Sequence, residues 1–156
     1  MGCVHRGTRS TVSASHSEVV VIDTMVASAL VNARFDRGRA AAFRKLIAGR
    51  PIIVSFATVT ELLFGAVKAD WGDLRLRALE RDLRGFIVVQ PDDALMEQCA
   101  RLRLACERQG HPLAERIHEA DRWIAATAVA GQLDLVSNDT VFTDTPGLTV
   151  LTTSDD

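Results

Sequence analysis

The chain has 156 residues, of which 47% are hydrophobic and 24% are charged, and its formal net charge at pH 7 is −2. This length and composition favour one globular domain with its own core. No apolar run approaches the roughly 20 residues of a membrane-spanning helix. The net charge excludes a surface that is basic throughout, so any contact with nucleic acid would depend on a local group of basic residues.

The composition changes only near the ends of the chain. Residues 1–17 are polar and rich in Ser and Thr, without the apolar centre of a signal peptide. We expect them to form a disordered tail before a domain over residues 18–152, with a short polar tail at 153–156. Cys99 and Cys106 form no Cys-x-x-Cys pair, which is typical of small core residues in a reducing cytosol. We therefore expect a cytoplasmic protein with no membrane contact.

Five short apolar runs alternate with helical patterns along the chain. The predicted strands are 19–22, 52–54, 86–89, 133–136 and 148–151, and the predicted helices are 24–33, 36–48, about 57–69, 72–84, 91–109 and 118–131. Because helices separate the first four strands, the sequence predicts an α/β fold with a mostly parallel sheet. The helix over 91–109 has the clearest apolar face, and the helix over 118–131 is apolar nearly all round, which predicts that it is buried.

Four acidic residues fall at one edge of this predicted sheet. Asp23 follows the first strand directly, and Asp139 follows the fourth. Glu61 lies in the first turns of the helix after the second strand, and Asp121 lies in the first turns of the helix before the fourth strand. In an open α/β sheet the carboxyl ends of the strands and the amino ends of the helices share the edge where ligands bind. We therefore expect the four carboxylates to converge.

Four converging carboxylates repel one another unless cations or protons neutralise them. Oxygen ligands without paired His or Cys favour Mg²⁺ or Mn²⁺ over zinc. One or two such ions could activate a water molecule and stabilise the leaving oxygen of a phosphodiester. The chain has no Gly-rich phosphate loop, which argues against a nucleoside-triphosphate enzyme. The pattern indicates a metal-dependent nuclease.

Each acid also has a purely structural interpretation. Asp23 could cap the helix that begins at Thr24, and Thr58-x-x-Glu61 matches a capping box. Asp139 could be a turn residue. Asp121 is harder to explain in this way, because it shares a helix face with apolar residues, where an unpaired charge is costly. The combination of the four, rather than any single one, supports the site.

The segments around the acids resemble the four sequence blocks of PIN-domain ribonucleases, most closely those of VapC toxins. The matching segments are Val-Val-Ile-Asp23-Thr24, Thr-Glu61-Leu-Leu-Phe-Gly65, Ala-Asp121-Arg-Trp-Ile-Ala-Ala-Thr-Ala and Val-Ser-Asn138-Asp139-Thr-Val-Phe142. The resemblance covers about residues 19–152. It implies a three-layer α/β/α fold with a sheet of about five strands.

The resemblance also implies an endoribonuclease that uses Mg²⁺ or Mn²⁺ and forms a homodimer. Such a toxin is inhibited by a cognate VapB-like antitoxin, whose tail lies over the acidic site. By the matching blocks, the metal-binding and catalytic acids are Asp23, Glu61, Asp121 and Asp139, with Thr24 and Asn138 as supporting groups. Two positions depart from the family pattern. Met25 stands directly after the Asp23-Thr24 pair, where the family often has a small polar residue. Ala120 stands directly before the third acid, Asp121, where the family often has Asn.

Basic residues near the third acid are candidates for RNA binding. Arg116 and Arg122 flank Asp121 in the sequence and are the RNA contacts that we expect. The basic stripe over residues 77–84 is more typical of a solvated helix face. His118 lies three residues before Asp121 and shares its helix face, so it could orient Asp121, contact RNA or simply begin the helix.

Three other functions remain compatible with parts of the pattern. A dehalogenase-like phosphatase would need a second Asp two residues after Asp23, and that position is Met25. A PIN-fold nuclease could instead act in RNA processing or DNA cleavage. A non-catalytic RNA- or protein-binding module could keep the fold without the chemistry, although the presence of all four acids argues against it.

Overall fold

The central sheet is entirely parallel. The computed structural model describes residues 18–32 and 37–153, so the predicted tail at residues 1–17 and most of the one at 153–156 lie outside the described residues. The strands are β1 (Val20–Ile22), β2 (Ile52–Ser55), β3 (Ile87–Val89), β4 (Asp134–Val136) and β5 (Val150–Leu151). Their order is β3-β2-β1-β4-β5, and each neighbouring pair is parallel. The predicted α/β fold with about five strands is confirmed.

The helices follow the predicted segments closely. They are α1 (Thr24–Val31), α2 (Arg37–Ile47), α3 (Phe56–Lys68), α4 (Asp73–Leu83), α5 (Asp93–Gln109) and α6 (Glu119–Gly131). Helix α5 begins at Asp93 rather than at residue 91, because the carboxylate of Asp92 accepts a hydrogen bond from the Leu95 N–H at 2.8 Å and caps the helix.

Three single turns of 3₁₀ helix were not predicted from the sequence. They lie at Pro112–Ala114, Arg116–His118 and Thr140–Phe142. The last of them begins directly after Asp139, which the sequence analysis considered as a turn residue. Such short turns carry little apolar periodicity, and this is why the pattern of the sequence did not indicate them.

Strand β1 lies at the centre of the sheet and divides the core. Val20, Val21 and Ile22 are fully buried between β2 and β4. Side chains alternate along a strand, so Val21 belongs to a cluster with residues of α5 and α6, whereas Val20 and Ile22 belong to a cluster with residues of α1 and α2. Helices therefore cover both faces of the sheet, in the expected three layers.

The buried faces of α5 and α6 agree with the sequence pattern. In α5 the buried residues are Leu95, Cys99, Leu102 and Cys106, spaced three or four positions apart. In α6 they are Arg122 and the unbroken run from Ile124 to Ala128, because this helix packs against both α5 and the sheet. No described helix is both long enough and apolar enough to cross a membrane.

The parallel arrangement brings the strand ends and the helix starts to the same edge. Asp23 follows β1 and caps α1, Ser55 ends β2 and caps α3, and Asp139 follows β4 by two residues. Helix α6 leads into β4 from the other end, so its first turn, with Asp121, also faces this edge. The fold itself thus brings residues from four separate segments together.

Candidate active site

Asp23 is the most deeply buried of the four acids, with only 4% of its surface exposed. Its Oδ1 accepts a hydrogen bond from the Val26 N–H at 2.8 Å, which caps α1. Its Oδ2 accepts a hydrogen bond from the hydroxyl of Ser137. The capping role considered from the sequence is therefore real, and it does not exclude a role in the acidic site.

Ser137 is a site residue that the sequence analysis missed. It is fully buried, and while its hydroxyl donates to Asp23, its Oγ accepts the Asp139 N–H at 3.0 Å. One hydroxyl therefore joins the acid after β1 to the acid after β4. The available signal was its position directly after the apolar run of β4 and two residues before Asp139, although a Ser at such a place is common in ordinary turns.

Three aspartates form one electrostatic cluster. Burial raises the pKa of Asp23, because removal from water disfavours its charged form. The hydrogen bonds from Ser137 and Val26 act in the opposite direction, and the negative charges of Asp139 and Asp121 then raise the pKa of Asp23 further. The negative charges of Asp121 and Asp139 thus lie near enough to Asp23 to act on its pKa.

Glu61 joins the site through Thr24. Its Oε2 accepts a hydrogen bond from the Thr24 hydroxyl at 2.6 Å, and the Thr24 and Thr58 oxygens are 3.4 Å apart. The capping-box interpretation of Thr58 and Glu61 is wrong, because Ser55 caps α3 and Thr58 is a fully buried residue inside the helix. Thr24, the residue after Asp23, is therefore the residue that orients Glu61.

Asp121 and Asp139 each have a local partner. Asp121 lies in the first turn of α6, and its Oδ2 is 3.1 Å from Nδ1 of His118. Asp139 accepts the Val141 N–H at 2.9 Å and so begins the last 3₁₀ turn. Both carboxylates are thus oriented by neighbours in the sequence, and Asp139 is also a turn residue, as its alternative interpretation expected.

Asn138 makes its side-chain hydrogen bonds away from the acids. Its amide donates to the hydroxyl of Thr153 at 2.6 Å, and its Oδ1 accepts the Thr153 N–H at 2.9 Å. This pair fastens the segment after β5 to the segment after β4. The side-chain hydrogen bonds of Asn138 thus hold the backbone next to Asp139 and are not made to an acid.

The two candidate RNA-binding arginines have different surroundings. Arg116 is exposed. Arg122 has only 4% of its surface exposed, and its guanidinium donates to the backbone carbonyls of Leu113 at 2.6 Å and Glu115 at 3.2 Å. The expectation that Arg122 binds RNA is corrected on this basis, because its charge is directed into the interior.

The donor set suits a hard divalent cation, but no complete set of metal ligands is formed. Within residues 18–32 and 37–153, no three His, Cys, Asp or Glu side chains are arranged so that they could hold a metal ion. The acids instead bond to protein donors. Their oxygens are nevertheless the ligands that Mg²⁺ and Mn²⁺ prefer, and the repulsion that raises the pKa of Asp23 is what a cation would relieve. The residues therefore fit such an ion chemically.

A cavity of about 500 Å³ opens beside Glu61. Thr24 and Glu61 line one part of it, and the rest is mostly apolar, with Met25, Trp71 and Leu79 among the lining residues. The guanidinium of Arg75 lies 3.6 Å from the centroid of the Trp71 ring. Glu61 is thus the acid that borders an apolar groove between α1, α3 and α4.

Solved structures with the same fold include several toxin–antitoxin complexes. A chain of VapBC2 from Rickettsia felis, bound to a promoter DNA fragment, is 20% identical with a TM-score of 0.71, and the match covers 87% of this chain and 99% of that chain. DNA-bound VapBC from Salmonella typhimurium is 22% identical with a TM-score of 0.69, and the match covers 85% of this chain and 96% of that chain. VapBC-5 from Mycobacterium tuberculosis is 26% identical with a TM-score of 0.61, and the match covers 89% of this chain and 100% of that chain.

The curated proteins contain no match to the chain. The family profile described as PIN domain matches residues 20–148, a stretch that begins in β1 and ends just before β5. This stretch includes Asp23, Glu61, Asp121 and Asp139. Since the profile covers most of the chain and the fold agrees with it, the protein belongs to the PIN domain family.

Proposed function

We propose that this PIN-domain protein is a metal-dependent endoribonuclease and the toxin component of a type II toxin–antitoxin pair. The observation that carries the proposal is the electrostatic cluster of Asp23, Asp121 and Asp139, beside which Thr24 holds Glu61. Nuclease activity is the general function of PIN domains. RNA as the substrate follows from the resemblance of the four acidic blocks to VapC toxins.

The four acids would hold one or two Mg²⁺ or Mn²⁺ ions. When bound, such an ion would supply Lewis-acid activation of water and neutralise charge on the scissile phosphate. The protein keeps the acids in place for this purpose: Ser137 fixes Asp23 and the backbone of Asp139, and Thr24 fixes Glu61. The burial of Asp23 also limits the access of bulk water to one side of the site.

Arg116 is the RNA contact that we retain from the sequence analysis. It is exposed and lies five residues before Asp121, in the 3₁₀ turn that leads into α6. A cation at this position can bind a phosphate of the RNA backbone next to the scissile one. We do not retain Arg122, because its guanidinium is bonded to buried carbonyls.

We further propose that the antitoxin is a VapB-like protein and that both proteins act in the cytoplasm. The structural neighbours are VapBC complexes, and the apolar groove next to Thr24 and Glu61 offers a surface for an inhibitory segment. A homodimer is proposed on the same resemblance. Exposed apolar side chains on α3, namely Phe64 at 64% and Val67 at 70%, are available for such a contact.

The test is cleavage of total cellular RNA by the purified protein, freed of any antitoxin, with Mg²⁺, Mn²⁺ or EDTA. We expect discrete fragments with wild type and Mg²⁺ or Mn²⁺, and none with EDTA or with Asp121→Asn, because this change removes one charged ligand without altering side-chain shape. Mapping the fragment ends would identify the RNA.

The matched control is Asp70→Asn, which makes the same chemical change far from the acids. Asp70 is exposed after α3 and has a positive φ of 52°, a conformation that Asn also adopts readily. This variant should cleave like wild type. Intact RNA with the folded wild-type protein and either metal would contradict the proposal, and cleavage of DNA alone would redirect it to a DNA nuclease.

A further inference from the structure

We propose that His118 is a positioning residue for Asp121, which holds Oδ2 of that carboxylate and leaves Oδ1 for the acidic cluster. The inference rests on the proposed function, because it assigns to the ring of His118 a task in the same site. It is carried by the contact between Nδ1 of His118 and Oδ2 of Asp121, at 3.1 Å. The proposal makes Asp121 a ligand through one oxygen only.

The backbone shows that the ring of His118 is not needed to begin the helix. His118 is the N-cap residue of α6, with φ −99° and ψ 26°, yet its side chain makes no capping hydrogen bond. Good capping residues place a short oxygen acceptor there. The ring of His118 instead lies against Asp121, the third residue of the helix. Orientation of the Asp121 carboxylate therefore explains a His at this position better than helix capping does.

The position of His118 is fixed by several bonds that hold the preceding segment. The N–H of His118 donates to the Glu115 carbonyl at 3.2 Å. Arg122, one turn into α6, donates to that same carbonyl and to the carbonyl of Leu113. The buried guanidinium thus anchors the two 3₁₀ turns to α6, and the ring of His118 is presented from a rigid support.

The other end of this segment is also anchored. Nδ1 of His111 accepts the Leu113 N–H at 3.1 Å, and Nε2 of His111 lies 2.8 Å from the Thr143 carbonyl. Residues 111–118 are therefore held between α6 and the segment after β4, the same two regions that supply Asp121 and Asp139. This bracing keeps His118 aligned with the acid.

The carboxylate of Asp121 depends mainly on its contact with His118, whereas Asp23 and Asp139 each have two hydrogen-bond partners. Asp23 is held by both Val26 and Ser137, and Asp139 is held at its carboxylate and at its N–H. Among the described residues, His118 is the only hydrogen-bond partner of the Asp121 carboxylate. Without it, that side chain can turn away from the cluster to relieve the repulsion from Asp23.

The experiment compares His118→Ala, His118→Gln and His118→Asn by their affinity for Mn²⁺ alone, measured calorimetrically without RNA. Asn places a donor nitrogen where Nδ1 lies, whereas Gln places its nitrogen nearer to the position of Nε2. We expect Ala and Gln to weaken Mn²⁺ binding by about 10-fold or more, the usual effect of losing a group that orients a metal ligand. Asn should keep most of the affinity.

A double variant separates positioning from general damage. If His118 acts through Asp121, adding His118→Ala to Asp121→Asn should not weaken Mn²⁺ binding further, because the group that it orients is already changed. In cleavage of a short RNA containing the mapped site, His118→Ala should lower kcat and leave KM unchanged, because the RNA itself does not contact the ring.

Several outcomes would overturn the proposal. One is that His118→Ala binds Mn²⁺ as tightly as wild type does. The others are that His118→Asn and His118→Ala lose the same amount of Mn²⁺ affinity, or that the losses of Mn²⁺ affinity add up in the double variant. A raised KM with unchanged Mn²⁺ affinity would instead make His118 an RNA contact. If wild type binds Mn²⁺ but leaves RNA intact, the nuclease proposal fails while the Mn²⁺ series still tests the positioning role.

Discussion

Asp23 has two structural roles that shift its pKa in opposite directions. As a helix cap it accepts the Val26 N–H, which favours the carboxylate form. As a buried member of an acidic cluster it is removed from water and repelled by Asp121 and Asp139, which disfavours that form, and burial is the largest of these effects on its pKa. A negative charge on Asp23 in the folded protein would therefore come at a cost in folding free energy.

The first prediction concerns Asp23→Asn and the free energy of unfolding. Because the pKa of Asp23 is raised in the folded protein, the folded state binds a proton more tightly than the unfolded state does. Proton binding to Asp23 therefore stabilises the folded state fully at pH values below the ordinary pKa of 3.8. This stabilisation is lost as the pH rises through the pKa that Asp23 has in the folded protein. Asn has no charge to bury, so without metal the variant should be more stable than wild type at pH 7.

This advantage should shrink as the pH falls towards 3.8, where the wild-type carboxyl group is protonated. Urea unfolding at several pH values measures the difference. Asp70→Asn, the same chemical change at an exposed position, serves as the control. A variant that is less stable than wild type at pH 7 would show that the hydrogen bonds from Val26 and Ser137 outweigh burial and repulsion.

The second prediction concerns Ser137→Ala. Removing this hydroxyl breaks the bond to Asp23 and leaves the Asp139 N–H without its acceptor. We expect RNA cleavage to fall by about 10- to 100-fold, as is usual when a group that orients metal ligands is lost. The control is Thr127→Ala, which removes another buried hydroxyl, bonded to the Trp123 carbonyl. Equal activity losses in the two variants would argue against a specific role for Ser137.

At the scale of elements, the two 3₁₀ turns before α6 are held by a buried charge. The guanidinium of Arg122 donates to the Leu113 and Glu115 carbonyls and lies near the thiol of Cys99, where its charge acts against the effect of burial on the pKa of that thiol. A buried cation needs such partners. Arg122 is thus a structural anchor between α6 and the segment that carries Arg116 and His118.

The third prediction is that Arg122→Ala lowers the free energy of unfolding by about 3 kcal/mol, because hydrogen bonds to charged groups contribute about 1.5–3 kcal/mol each and the buried carbonyl of Leu113 loses its donor. Chemical denaturation measures this change. The comparison is Arg101→Ala, which removes an exposed pair with Glu97 on α5 and should cost only about 0.3–0.5 kcal/mol. Similar effects of the two variants would contradict the anchoring role.

At the scale of the whole molecule, the acidic site joins segments that are far apart in the chain. Asp23 follows β1, Asp121 begins α6 and Asp139 follows β4, and Glu61 comes from α3. The unfolded chain cannot bring these carboxylates together. A cation that binds them therefore binds only the folded state and stabilises the entire fold by mass action.

The fourth prediction follows from this coupling. Mn²⁺ should raise the melting temperature of wild type, with a stabilisation of about 2.7 kcal/mol when the ion is at 100 times its Kd. Asp121→Asn should reduce the shift strongly, whereas Glu97→Gln on the exposed face of α5 should not. Differential scanning fluorimetry with and without EDTA measures it. An equal shift in all three proteins would indicate nonspecific ion binding.

The sequence alone determined the elements and the approximate location of the site. Apolar periodicity placed five strands and six helices, because burial on one face or on both leaves a repeating pattern. The parallel connections then required Asp23, Glu61, Asp121 and Asp139 to lie at one edge. In the structure, Asp121 and Asp139 each repel Asp23, and Glu61 is bonded to Thr24, the residue after Asp23.

Only the tertiary structure decided which neighbours hold these acids. Ser137 bonds to Asp23 across 114 positions, and Thr24 bonds to Glu61 across 37. Arg122, next to Asp121 in the sequence, turns inward because adjacent residues of a helix point in different directions. Sequence patterns report periodicity and burial, whereas the partner of a polar group depends on which segments the fold places within hydrogen-bonding distance.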